Sequence, residues 1–367
     1  MRAAAGVVVL ALAGCGGGSA PAPTPAPSSP AARDAAAPPT DEQLIADTLR
    51  RRAAALEAAP RARALRVRDV VLDPGRITVT GRHAHARVLE QYEIGGVRSS
   101  YRSVRRVDLV KRGERWRIAR MDGRRGLPPW EVARFTERRT PHFVVLAPES
   151  VPVDELLAAL EDGYAAMRAR LESGRLRKRY LVVVAADAAQ ARALTTQIRG
   201  LETLAAIADA AIVERGAAQA VSRVVSLRLL VVYSAFAGQD PEARRRTIAH
   251  ELTHAALAAF TSGRTPAWLA EGVAMYASGD RRTAPPDPDL GKLSGPGAIA
   301  RLSGDAQANA YGASSAAAFA IVDRFGGRRL LRLYDAFNDD TLRGPPGRRL
   351  AARAVRRELG IGLNDLM

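Results

Sequence analysis

The stretch 247-TIAHELTHAALAAFTSGRTPAWLAEGVAMYASG-279 decides how this chain is read. It holds two of the five histidines, four residues apart around Glu251. Asp240, Pro241 and Glu242, just upstream, suit an N-cap, a first helical position and a first-turn acid, so a helix is expected from there to about Phe260. With His250 at 0° and about 100° per residue, His254 falls at about 40° and Glu251 at about 100°, on one side. Ile248, Leu252, Ala255 and Ala259 fall at about 140–200°, an apolar stripe expected to meet the core. Two neutral imidazoles on adjacent turns can bind one zinc ion through ring nitrogens.

The second half of the stretch supplies a third ligand. Gly263 suits a helix end, Thr265 an N-cap and Pro266 a first helical position, so a second helix is expected after a tight turn. From His254 to the end of the first helix is a rise of about 9 Å, and from Pro266 to Glu271 about 7.5 Å. If the helices run antiparallel, Glu271 returns to the level of the histidines. His250, His254 and Glu271 then leave a fourth coordination place open, as catalytic zinc sites do.

These segments resemble the gluzincin zinc metallopeptidases. "HELTH" matches their H-E-x-x-H, and "WLAEGVAMY" matches their glutamate-bearing helix, with sixteen residues between His254 and Glu271. The chain is most similar to the bacterial peptidase MA-like family, from about Arg139 to the C-terminus, including the segment "YGASSAAAFAIVDRFGG". The resemblance implies a zincin-like α+β domain: a small mixed sheet above the active-site helix, and a helical lower lobe. It implies one Zn2+ per chain on His250, His254 and Glu271, and hydrolysis of a peptide or protein substrate. Glu251 would take a proton from the zinc-activated water and deliver it to the leaving amine. An extended substrate could add to a sheet edge at Val224–Val232. The oxyanion needs a second donor, and no histidine follows His254. Tyr311, read as opening a helix, is the candidate, with Tyr276 in reserve. Thr253 and Asn309 lie near the motifs without an assigned role.

The N-terminus carries a different signal. Residues 1–14 contain about a dozen apolar residues, the length of a signal peptide and too short to span a bilayer. "LAGC" ends at Cys15, the single cysteine, and resembles the lipobox of bacterial lipoproteins. The expectation is a chain lipidated at Cys15 and held at the outer face of the cell membrane. With no disulfide to form there, its stability falls to packing and a metal. Residues 15–40, rich in Pro, Ala, Gly and Ser, read as a tether.

Residues 41–126 read as a helix followed by antiparallel strands, an α+β pattern similar to the nuclear-transport-factor-like cone. His83 and His85 share one strand face, where no acid or cysteine was found to complete a metal set. Residues 127–140 read as a linker, and 141–367 as the zincin-like domain, with strands first and helices after. Residues 199–223 receive no element.

The net charge of +17 comes from three lysines and 52 arginines against 38 acids, a skew that resembles coding bias. Aromatic residues, at 5%, are too few for a base-stacking platform, so nucleic acid is not an expected partner. An anionic lipid or envelope polymer suits the charge, as does a solvated basic surface. Three functions stay open: an active membrane-anchored peptidase, a catalytically inactive zincin-like lipoprotein serving as a binding scaffold, or cleavage of a non-peptide bond at the same zinc. Glu251 favours the first, because a structural metal site needs no general base.

Overall fold

The computed structural model describes residues 38–97, 100–123, 125–196, 201, 204–215, 220–339 and 341–367. The expected signal peptide, Cys15 and nearly all of the tether lie outside the described residues.

The chain is α+β, with two sheets. Helix α1 (Asp41–Glu57) starts on a reciprocal cap between Thr40 and Gln43 and buries Ile45, Leu49, Ala53 and Leu56. After a one-turn α2 (Pro60–Ala64), four strands form an antiparallel meander: β1 (Val67–Thr80), β2 (His83–Ile94), β3 (Ser100–Arg112) and β4 (Arg115–Asp122). Along β2, buried and exposed positions alternate strictly from His83 to Val88, so one face meets α1 and the other meets solvent. His83 and His85 are on the solvent face. The sequence reading missed Asp108, across the ladder, whose carboxylate pairs with His85 Nδ1 at 2.7 Å; all three side chains are exposed.

Residues 127–140 are more than a connection. They hold a single turn, α3 (Pro129–Val132), and strand β5 (Phe135–Arg139), the antiparallel edge of the second sheet. That sheet continues with β6 (Phe143–Pro148), helix α4 (Asp154–Arg168), β7 (Tyr180–Ala185), α5 (Ala188–Leu194), β8 (Ala206–Arg215) and β9 (Ala220–Val232). The strand order is β5-β6-β7-β9-β8, with β6, β7 and β9 parallel and both outer strands antiparallel.

Every residue of β6 and β7 is buried, as expected of unbroken apolar runs covered on both faces. Phe143, Val145, Val182, Val184 and Leu229 face the helices, while Val144, Leu146, Leu181, Val183 and Leu230 face the first sheet. The two units therefore share a continuous core across the second sheet.

On the helical side, a short α6 (Tyr233–Ala237) leads to α7 (Pro241–Leu257) and α8 (Ala267–Ser278). Then come α9 (Gly304–Phe325), α10 (Gly327–Asp335) and α11 (Arg348–Leu359). Among the described residues no helix is long and apolar enough to cross a membrane. Two glycines let helices approach α7 and α8 closely. A Cβ on Gly163 of α4 would stand 2.6 Å from Ile248 Cγ2, and one on Gly272 of α8 would stand 2.5 Å from the Ser314 carbonyl oxygen of α9. The second neighbour is backbone and cannot swing aside. Gly272→Ala is thus expected to cost about 1–3 kcal/mol by overpacking, lowering the melting temperature by several degrees. Gly174→Ala, where nothing lies within 4 Å, is the control and should melt like the parent.

Candidate metal centre

Helix α7 begins as expected, with the Asp240 carboxylate accepting from the Ala243 N–H at 2.8 Å and Pro241 in the first turn. It ends at Leu257, three residues short of the expected Phe260, which leaves Ala259 exposed instead of on the core stripe. Helix α8 starts at Ala267, with Pro266 rather than Thr265 at the cap position. Thr265 serves the turn instead, its hydroxyl accepting from the Ser262 N–H at 3.1 Å. Both arms of the hairpin are shorter than expected, the first by three residues and the second by one. His254 to Leu257 rises about 4.5 Å and Ala267 to Glu271 returns about 6 Å, so Glu271 still arrives beside the histidines.

The turn between these helices is buried and anchored. Arg264 donates through Nη2 to the carbonyls of Phe337 (3.0 Å) and Asp339 (2.9 Å), and the Thr261 and Tyr334 hydroxyls pair at 2.6 Å. These contacts fix where α8 starts, and so where Glu271 points.

The three expected ligands converge. His250 Nε2 is 3.1 Å from Glu271 Oε2, His254 Nε2 is 3.1 Å from His250 Nε2, and His254 Nε2 is 3.6 Å from Glu271 Oε2. Atoms about 2.0–2.2 Å from one tetrahedral centre stand about 3.3–3.6 Å apart, so the trio already outlines one face of such a centre. Among the described residues it is the one cluster of His, Cys, Asp or Glu with its donor atoms this close. The residues fit a metal ion.

All three ligands and Glu251 are buried. Burial alone would raise the Glu271 carboxyl, but the two imidazoles outweigh it and hold it at about 2. For His250, burial works against protonation, yet the Glu271 carboxylate outweighs it and shifts the ring upward. Glu251 goes the other way: burial raises its carboxyl above the usual range, only partly offset by His250 and His254.

Glu251 points at the second sheet, where its Oε2 accepts the Ala208 N–H of β8 at 2.8 Å. This corrects the expected substrate edge. Val224–Val232 belongs to β9, which lies between β7 and β8; among the described residues the outer strand above the site is β8. Ala205 O bonds back to Val232 N, so with alternation the backbone groups of Ala206, Ala208 and Ala210 face outward. Strand β8 escaped the sequence reading because "AIADAA" is rich in alanine, a residue depleted in strands. A cleft opens beside His254 and Glu271, walled by Ala208, Ala210, Ala258, Ala267, Ala270 and Ile299 among others.

Tyr311 lies in the middle of α9 rather than at its start. Its ring is buried and has the Arg282 guanidinium 5.7 Å from its centroid. Burial first, then the Glu271 and Glu251 carboxylates, raise its hydroxyl well above the ordinary tyrosine value, so it stays a neutral donor. Arg282, which the sequence reading did not single out, is held by Asp280 at 2.6 Å. Tyr276 is not at the site: it packs edge-on against Phe319, with its hydroxyl against Gly327. Thr253 bonds back to the Ala249 carbonyl within α7, and Asn309 is exposed. Comparison of the chain with protein-family models, curated proteins and solved structures finds no match.

Proposed function

We propose that the chain is a zinc-dependent peptidase of the gluzincin type, with a zincin-like catalytic unit and a nuclear-transport-factor-like first unit. The observation that carries this reading is the placement of Glu251. A buried carboxylate adjoins a three-ligand face and is tied to the outer strand of a sheet. Two imidazoles and one carboxylate suit zinc better than magnesium or calcium, which take oxygen donors. Bound there, zinc would polarise the scissile carbonyl and acidify a water.

The chain's own groups do the rest. Glu251 accepts the water's proton and passes it to the leaving amine; its raised affinity for protons suits that exchange. Outward backbone groups on β8 other than the Ala208 N–H, which Glu251 holds, can pair with an extended peptide. The cleft beside His254 and Glu271 is walled mainly by small uncharged side chains, which suits an apolar residue of the substrate. Tyr311 is the proposed donor to the developing oxyanion. Tyr311→Phe is expected to keep the metal and lower turnover by about 10²–10³-fold. Undiminished turnover would remove Tyr311 from this role.

The test of the function is a peptide library incubated with the zinc-loaded chain and analysed for new termini by mass spectrometry. New termini that vanish with a zinc chelator support the reading. Their absence from the loaded chain would leave the scaffold reading in its place. The proposed site of action is the outer face of the membrane, on the strength of the lipobox-like Cys15. Cys15→Ser should move the chain from the membrane to the soluble fraction; continued membrane attachment would contradict a lipid anchor there.

A further inference from the structure

The first unit reaches the site through one strand. Asp209 lies between Ala208, whose N–H holds Glu251, and Ala210, which walls the cleft. Its side chain leaves β8 on the opposite face, where Asp209 Oδ2 accepts from Arg228 Nε (3.0 Å) and Nη2 (2.8 Å) and from the Thr195 hydroxyl (3.3 Å). Arg228 is the register partner of Asp209 on β9 and is 2% exposed. Its guanidinium carbon sits 3.8 Å from the ring centroid of Tyr101, a residue of β3 in the first unit. Arg228 Nη2 and the Tyr101 hydroxyl both donate to the Leu194 carbonyl at the end of α5. Tyr101 in turn packs against Tyr92.

Strand β8 has need of such a clamp. Among the described residues its one strand partner is β9, and its site-facing side chains are Ala206, Ala208 and Ala210, too small to anchor it by packing. A buried ion pair adds little net stability compared with apolar residues of the same size, so its contribution here is to place the strand.

We propose that Asp209, Arg228 and Tyr101 are positioning residues, through which the first unit fixes the height of β8 above α7 and so the orientation of Glu251. The first unit is then the back wall of the site. The catalytic half of this inference rests on the peptidase reading; the structural half does not.

The test uses the full zinc-loaded chain with Asp209→Leu and Arg228→Met together, which removes both buried charges and keeps the fold, and with Tyr101→Leu alone. Amide hydrogen exchange across residues 206–211 is expected to rise about tenfold or more, while α7 and α8 exchange as before. Zinc should stay at one per chain, and kcat should fall more than KM changes. A Leu49→Ala control weakens the first unit at α1, which makes none of the Tyr101–Arg228–Asp209 contacts, and should leave β8 exchange unaltered. Unchanged exchange at β8 in both variants would overturn the proposal, as would an equal rise in the Leu49→Ala control. If the parent chain cleaves no peptide, the exchange result still decides the positioning claim, and only the peptidase reading falls.

Discussion

Glu251→Gln is expected to leave metal binding intact and to slow peptide hydrolysis by about 10²–10⁴-fold, the usual contribution of a general base. Glutamine keeps the size of the side chain and an oxygen that can still accept the Ala208 N–H. What it loses is the capacity to take a proton. Since Glu251 is not one of the three converging ligands, zinc content should not change. The comparison needs stoichiometry and initial rates measured on the same preparations. Equal turnover by both forms would remove Glu251 from the chemistry, and loss of metal would make it a ligand.

Glu271→Ala is expected to have the opposite signature. Two imidazoles remain without their carboxylate, and zinc affinity should drop by about 100-fold or more. The loss extends to stability. A ligand present at about a thousand times its dissociation constant stabilises the folded state by about 4 kcal/mol. A chelator should therefore lower the melting temperature of the parent chain and leave that of Glu271→Ala nearly unmoved. Acid acts in the same sense, because the Glu271 carboxylate makes the His250 ring easier to protonate and protons compete with zinc for its nitrogen, so bound zinc should be lost as pH falls. Calorimetry with and without chelator measures the linkage. A variant that keeps one zinc and the same chelator response would contradict the assignment.

The metal trio was legible because it depends on local periodicity. His250 and His254 share a face by helix geometry alone, and Glu271 follows from two antiparallel arms of similar length. That estimate tolerated errors of three residues in one arm and one in the other, because the two arms still differ by only about one residue's rise. The helix carrying Tyr311 was read as starting too late, although Ser303 at the N-cap and Asp305 in the first turn mark its start at Gly304. The substrate edge was misplaced for a tertiary reason. Val224–Val232 has the β-branched character of an edge or a centre alike, and the true edge, β8, is written in alanines. The apolar stripe on α7 meets the core as expected, and the histidine side is buried as well, from Ile248 to Leu257. The clamp of Tyr101 on Arg228 joins residues far apart in the chain, and no periodicity announces it.

The most direct test of the central claim is anomalous diffraction at the zinc edge from crystals of the zinc-loaded chain. The account predicts a single strong peak within about 2.0–2.2 Å of His250 Nε2, His254 Nε2 and a Glu271 carboxylate oxygen, with the fourth direction open toward the cleft. No peak over these three residues at saturating zinc, or a peak only elsewhere on the surface, would contradict it.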